Sequence, residues 1–134
     1  GKADVKRSGE DITVFCYGLM VNYCLQAADI LANDGIDVEV VDLRTVYPLD
    51  KATIIERSQR TGKVLLVTED NLEGSIMSEV SAIIAENCLF DLDAPIMRLA
   101  APDVPSMPFS PTLENEIMMN PEKIQDKMRE LAQF

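Results

Sequence analysis

The sequence predicts an α/β fold, a three-layer arrangement with a mostly parallel sheet and helices on both of its faces. Three observations carry that expectation. Short apolar, β-branched runs alternate with segments whose apolar residues recur every three or four positions. The connections between them are short, which implies right-handed crossovers joining parallel strands. One run, Lys63 to Thr68 (KVLLVT), is apolar almost throughout, as expected of a central parallel strand covered on both sides.

Each element has its own warrant. Asp11 to Tyr17 (DITVFCY) reads as a buried strand bounded by Ser8, Gly9 and Gly18, with Lys2 to Arg7 before it as its hairpin partner. From Leu19 to Asn33, Met20, Cys24, Ala27, Ala28 and Leu31 make one helical face, and Gly35 supplies the stop. Asp37 to Leu43 (DVEVVDL) is a second strand. Asp50 then caps a helix over Lys51 to Thr61 that Gly62 closes. After the KVLLVT strand, Glu69 to Gly74 reads as a polar loop. Ser75 caps the following helix, which runs to Asn87 with Ile76, Val80, Ile83 and Ile84 on its apolar face. Ile96 to Ala100 is the next strand. Between Ala101 and Pro111, Pro102, Pro105, Pro108 and Pro111 remove backbone donors and force an extended surface segment. Asn120 caps and Pro121 opens the last helix, whose apolar stripe is Ile124, Met128 and Leu131.

A chain of 134 residues is expected to form a single domain, 1–134. Apolar residues make up 47% and charged residues 26%, and no apolar run reaches the length of a membrane span, about 20 residues. A membrane protein is thereby excluded. With 12 basic and 23 acidic residues the formal charge is −11, which repels nucleic acid, free phosphates and anionic lipid and favours a basic or amide-presenting partner. Histidine is absent, which removes Ser–His and Cys–His nucleophiles and imidazole metal sites. Cys16, Cys24 and Cys88 are odd in number and lack C-x-x-C spacing, so they read as core thiols in a reducing cytoplasm. The opening GKADVKRSGED has neither an initiator Met nor a secretory signal, and Gly1 is read as a cut point inside a longer protein.

In an open α/β sheet, ligands usually sit beyond the carboxyl ends of the strands, which directs attention to the loops after Tyr17, Leu43 and Thr68. None contains G-x-G-x-x-G or a P-loop, and Gly18 fits a plain tight turn better than a phosphate approach. Glu69, Asp70 and Glu73 offer carboxylates for Mg²⁺ or Ca²⁺, yet their spacing matches no known metal loop, and a solvated acidic loop is the better reading. Asp42 and Arg44 fit either an interface ion pair or a surface pair worth under about 1 kcal/mol. Asp91 and Asp93, in FDLDAP, would ordinarily just end and solvate a loop. Pro95 restricts the residue before it, so they are also presented rigidly and suit an arginine anchor. A terminal carboxylate on Phe134 offers a second anchor. The methionines, Met118 and Met119 included, read as core or interface filler.

DLRTVYPLD (Asp42 to Asp50) is the first stretch that resembles a known family. GKADVKRSGEDITVFCYG, KVLLVTED…GS…SEV…IAE, LDAPIMRLAAPDVP and NPEKI…REL follow the same family in order, over essentially the whole chain. The chain resembles the C-terminal domain of the β subunit of thiamine-diphosphate-dependent 2-oxo acid dehydrogenases, the E1 component. Within them, LLVTEDNLEGSIMSEVSAIIAE and CLFDLDAPIMRLAAPDVPSMPFSPTLE look most like the branched-chain (2-oxoisovalerate) enzymes of Gram-positive bacteria. Pyruvate and acetoin dehydrogenases are the near alternatives.

The resemblance implies a transketolase C-terminal-type fold with one antiparallel edge strand. It implies a parent enzyme that decarboxylates a branched 2-oxo acid on thiamine diphosphate and Mg²⁺ and acylates the lipoyl group of E2, the cofactor carrying the carbanion chemistry. Its diphosphate and metal site lies on the α subunit and its activating carboxylate in the β subunit's N-terminal domain, so this segment is expected to bind neither and to be inactive alone. It further implies an E1 α subunit and a second E1 β subunit as partners in an α2β2 assembly. The peripheral subunit-binding domain of E2 would dock across the β–β dyad, its basic groups meeting Asp93 and the carboxylate of Phe134. Two other readings compete: a free-standing flavodoxin-like nucleotide or small-molecule binder, and the same domain in another thiamine enzyme, such as a transketolase or a deoxyxylulose-phosphate synthase.

Overall fold

The computed structural model describes residues 1–101 and 119–134. Strands β1 (Asp4–Arg7), β2 (Ile12–Cys16), β3 (Val38–Asp42), β4 (Val64–Asn71) and β5 (Met97–Ala101) form one sheet in the order β1-β3-β2-β4-β5. All neighbouring pairs are parallel except β1 with β3. Helices α1 (Met20–Ala32), α2 (Lys51–Thr61), α3 (Ile76–Cys88) and α4 (Pro121–Ala132) complete the described elements. The prolines at 102, 105, 108 and 111 lie outside the described residues, and so does Met118.

Side-chain alternation along the strands sorts the interior into two cores. Ile12, Val14 and Cys16 of β2 join Val38 and Val40 of β3 and Leu65 and Val67 of β4 beneath α1 and α4. Phe15, Val41, Val64 and Leu66 face the opposite way, onto α2 and α3. Continuous apolar runs are thus needed on the central strands, because neither face meets water. Burying Phe15 completely contributes about 1.5–3 kcal/mol.

The helices follow their stripes. On α1 the five expected face residues are buried together with Val21. Asp50 caps α2 by accepting from the Thr53 N–H, and Gly62 ends it at φ 69°. Asn120 caps α4 through the Lys123 N–H with Pro121 in the first turn, and Ile124, Met128 and Leu131 are buried.

Three expectations are corrected. β1 is antiparallel and at an edge, yet it pairs with β3 and forms no hairpin with β2, whose sides are both taken by parallel partners. The crossing depends on Gly9, where a Cβ would stand 2.5 Å from the Val38 carbonyl carbon. β1 carries a bulge between Val5 and Arg7 and an ion pair between Lys6 and Asp4 at 2.8 Å. Next, the expected polar loop at Glu69 begins late: β4 runs on to Asn71, which pairs with Ala101 past an irregularity after Val67. Finally, Ser75 precedes α3 without capping it, because its hydroxyl turns back to the Leu72 carbonyl at 3.4 Å.

Candidate functional site

At the carboxyl end of the strands, Glu69, Asp70 and Glu73 line an open cleft of about 430 Å³. The Tyr17 hydroxyl donates to Asp70 Oδ2 at 2.6 Å and lies 2.9 Å from Thr68 Oγ1. Desolvation first, and the Asp70 carboxylate second, push the Tyr17 phenol above its usual pKa. The acidic side chains do not converge, since among the described residues no group of three metal-ligating side chains could hold an ion. Gly18 has φ 63°, and the carboxylate of Glu69 stands 4.0 Å from where its Cβ would be, a poor setting for a phosphate. Nor do Asp42 and Arg44 form an ion pair. Asp42 instead accepts the Arg44 main-chain N–H at 2.9 Å, holding Arg44 at φ 62°.

At the amino end, the candidate anchors Asp93 and Phe134 meet consecutive residues. The Asp93 N–H donates to the Gly62 carbonyl at 2.8 Å. Its carboxylate lies over Gly62, with Oδ2 only 2.6 Å from where a Cβ would stand. Lys63 Nζ donates to the main-chain oxygen of Phe134 at 2.7 Å and to that of Ala132 at 3.3 Å. The strand entry at Gly62–Lys63 therefore organises both anchors. They differ in availability, because Phe134 is already engaged by Lys63, whereas the exposed Asp93 carboxylate has no hydrogen-bond or ion-pair partner among the described residues.

Just before Asp93, Leu89–Asp91 form a single 3₁₀ turn closed by Leu92 N–H to the Leu89 carbonyl at 3.4 Å. Leu89 and Phe90 are exposed, and Phe90 entirely so. Neither is among the candidate residues named from the sequence; the available signal was an apolar pair, Leu89 and Phe90, directly ahead of the acids Asp91 and Asp93 and of Pro95. A second feature escaped the sequence reading too. Glu39 is fully buried on β3, and its Oε1 receives Arg57 at 3.1 Å and Arg60 at 2.8 Å while the Thr13 hydroxyl donates to Oε2 at 3.2 Å. An acid set among the valines of VEVV, inside DVEVVDL, was the available clue.

A profile of the family described as "Transketolase, C-terminal domain" matches residues 1–124. The chain belongs to that family. It is 68% identical, over all 134 residues, to 2-oxoisovalerate dehydrogenase subunit beta of Bacillus subtilis (strain 168), covering 41% of that protein. Against the pyruvate dehydrogenase E1 component subunit beta of the same organism the identity is 43%, again over the whole chain and 41% of the relative. A solved structure described as a split gene transketolase, inactive beta4 tetramer, superposes with a TM-score of 0.86 at 23% identity, covering 98% of this chain and 42% of that one. This likeness bears on the fold alone, and it agrees with the expected transketolase C-terminal-type sheet. The chain thus spans about two fifths of the length of these curated relatives.

Members of thiamine-enzyme families imply thiamine diphosphate and Mg²⁺, and the donor chemistry here does not fit them. Among the described residues the carboxyl-end cleft presents Glu69, Asp70 and Glu73 and no Lys or Arg, so it would repel a diphosphate. No step is therefore assigned to that group on this chain.

Proposed function

We propose that this transketolase C-terminal domain, residues 1–134, is the assembly and docking part of the E1 β subunit of a cytoplasmic branched-chain 2-oxo acid (2-oxoisovalerate) dehydrogenase. The observation that carries the proposal is the identity gap: 68% to a 2-oxoisovalerate dehydrogenase β subunit against 43% to a pyruvate dehydrogenase one. In this reading the parent heterotetramer, two α and two β subunits, oxidatively decarboxylates branched 2-oxo acids and acylates lipoyl-E2. Thiamine diphosphate and Mg²⁺ would belong to other parts of it.

The role of this chain is recognition. Asp93 is held by its main chain while its carboxylate has no partner among the described residues, and Phe134 offers its oxygen beside Lys63. A fixed, exposed carboxylate on a chain of net charge −11 suits charge-assisted bonds from the basic peripheral subunit-binding domain of E2. Such association is fast at low salt and weakens as salt screens it.

Two measurements test the proposal with the β subunit extended upstream of Gly1 and assembled with its α subunit. Turnover of branched 2-oxo acids should exceed that of pyruvate and acetoin; the reverse order would remove the substrate assignment. By calorimetry, Asp93→Ala should weaken binding of the E2 domain at least tenfold, and deleting Phe134 should weaken it less. Unchanged affinity in both variants would remove the docking assignment.

A further inference from the structure

Phe90 is 101% exposed and Leu89 57%, an unusual position for two large apolar side chains on a single turn. The turn is not loose. Cys88 before it is buried, Leu92 after it packs on the core beneath α3, and the Asp93 N–H ties the chain to Gly62. The two acids that follow Phe90 on the same short segment, Asp91 and Asp93, are both exposed, and their carboxylates have no partner among the described residues.

This combination narrows the occupant. A purely apolar partner would bury two carboxylates without compensation, which costs more than the apolar contact returns. An anionic surface is repelled by the net charge of −11. A guanidinium or ammonium satisfies both demands, since it pairs with the carboxylates and lies over the negative face of the aromatic ring. The other nearly bare aromatic among the described residues, Tyr47 at 94% exposure, is different. Its acidic neighbours in sequence are already bonded, Asp42 to the Arg44 N–H and Asp50 to Thr53 and the Ala3 N–H.

We infer that Phe90 is an aromatic platform for a basic side chain of the E2 subunit-binding domain, which the carboxylates of Asp91 and Asp93 hold over the ring. The inference deepens the docking reading above and rests on it. It is continuous in sequence with the Asp93 anchor, and it adds to the contact an aromatic side chain, a type that contributes strongly to interface energetics.

The test uses the assembled α2β2 heterotetramer, with calorimetry against the isolated E2 domain and sedimentation to monitor assembly. Phe90→Ala should weaken binding about tenfold with the heterotetramer intact. Phe90→Tyr, which keeps the ring face, should stay within about twofold of the parent. Phe90→Leu, which keeps apolar bulk without a ring, should behave like the Ala variant. Binding by Phe90→Leu at parental strength would overturn the platform. So would unchanged binding by Phe90→Ala alongside weakened binding by Asp93→Ala, an outcome that leaves the docking reading standing. If neither variant changes affinity, docking at this face fails and the platform with it. If Phe90→Ala dissociates the heterotetramer, the ring is a subunit contact and the inference is overturned.

Discussion

The carboxylate of Asp93 rests on the bare Cα of Gly62, with Oδ2 2.6 Å from where a Cβ would stand, and Asp93 donates its N–H to the carbonyl of the same glycine. One residue therefore both ends α2 and seats a candidate binding group.

Replacing Gly62 tests the arrangement. In Gly62→Ala the new methyl group would meet Asp93 Oδ2 and, at 2.9 Å, the Asp91 carbonyl oxygen, while φ stays at 69°. The expected loss is about 1–3 kcal/mol of stability, read from urea denaturation. A variant as stable as the parent would show that the close approach is relaxed in solution.

Glu39 is fully buried and paired with two arginines. Truncation in Glu39→Ala removes the acceptor shared by Arg57 and Arg60, and the expected cost is about 3 kcal/mol. Glu39→Gln keeps an acceptor in place and should cost less. Equal denaturation midpoints for the two variants would contradict a charge-based role.

Asp50 gives stability a pH dependence. The Thr53 hydroxyl bond, helped by main-chain N–H groups of Ala3 and Thr53, holds its carboxyl below the ordinary pKa. A native pKa lower than the unfolded one means the contribution is full above about pH 4 and is lost as pH falls through the lowered value. Asp50→Ala should cost about 1 kcal/mol at pH 7 as a lost cap, and the gap to the parent should close in acid. A gap that persists at pH 2 would assign the effect to packing.

The thiols should be silent. Cys16, which shares a hydrogen bond with Cys24 and lies 3.6 Å from the Val41 carbonyl oxygen, and Cys88, desolvated at the end of α3, both have pKa values pushed up. Little thiolate forms near neutrality, and the thiolate is the reactive species. A disulfide reagent at pH 8 should modify none of the three quickly in the native protein and all three in denaturant. Rapid native labelling would mean that the core opens locally.

Much of this fold was legible because its signals are local. The run KVLLVT announces a strand covered on both faces, Asp50, Gly62 and Asn120 mark helix ends through bonds spanning three or four residues, and Pro121 opens a helix where no N–H is needed. What escaped depends on distant partners. Nothing between Lys2 and Arg7 says that β3, thirty residues on, is a better partner than β2. The extension of β4 to Asn71 is set by pairing with Ala101, and Glu39 looks misplaced until Arg57 and Arg60 are brought beneath it. At the candidate site, Asp93 and Phe134 could be named from the chain alone. That Lys63 engages one while the other has no partner among the described residues is a fact of packing.

The edge strand β1 is short, bulged between Val5 and Arg7, and fringed with charge through Asp4, Lys6 and Arg7. These features make it a poor template for strand addition, because an incoming backbone would find an irregular ladder and would have to strip water from ionised groups. At that edge the domain is guarded against runaway cross-β stacking while it is being synthesised. A neighbour that joins there must read side chains and cannot simply extend the ladder, so its fidelity is open to change by single substitutions.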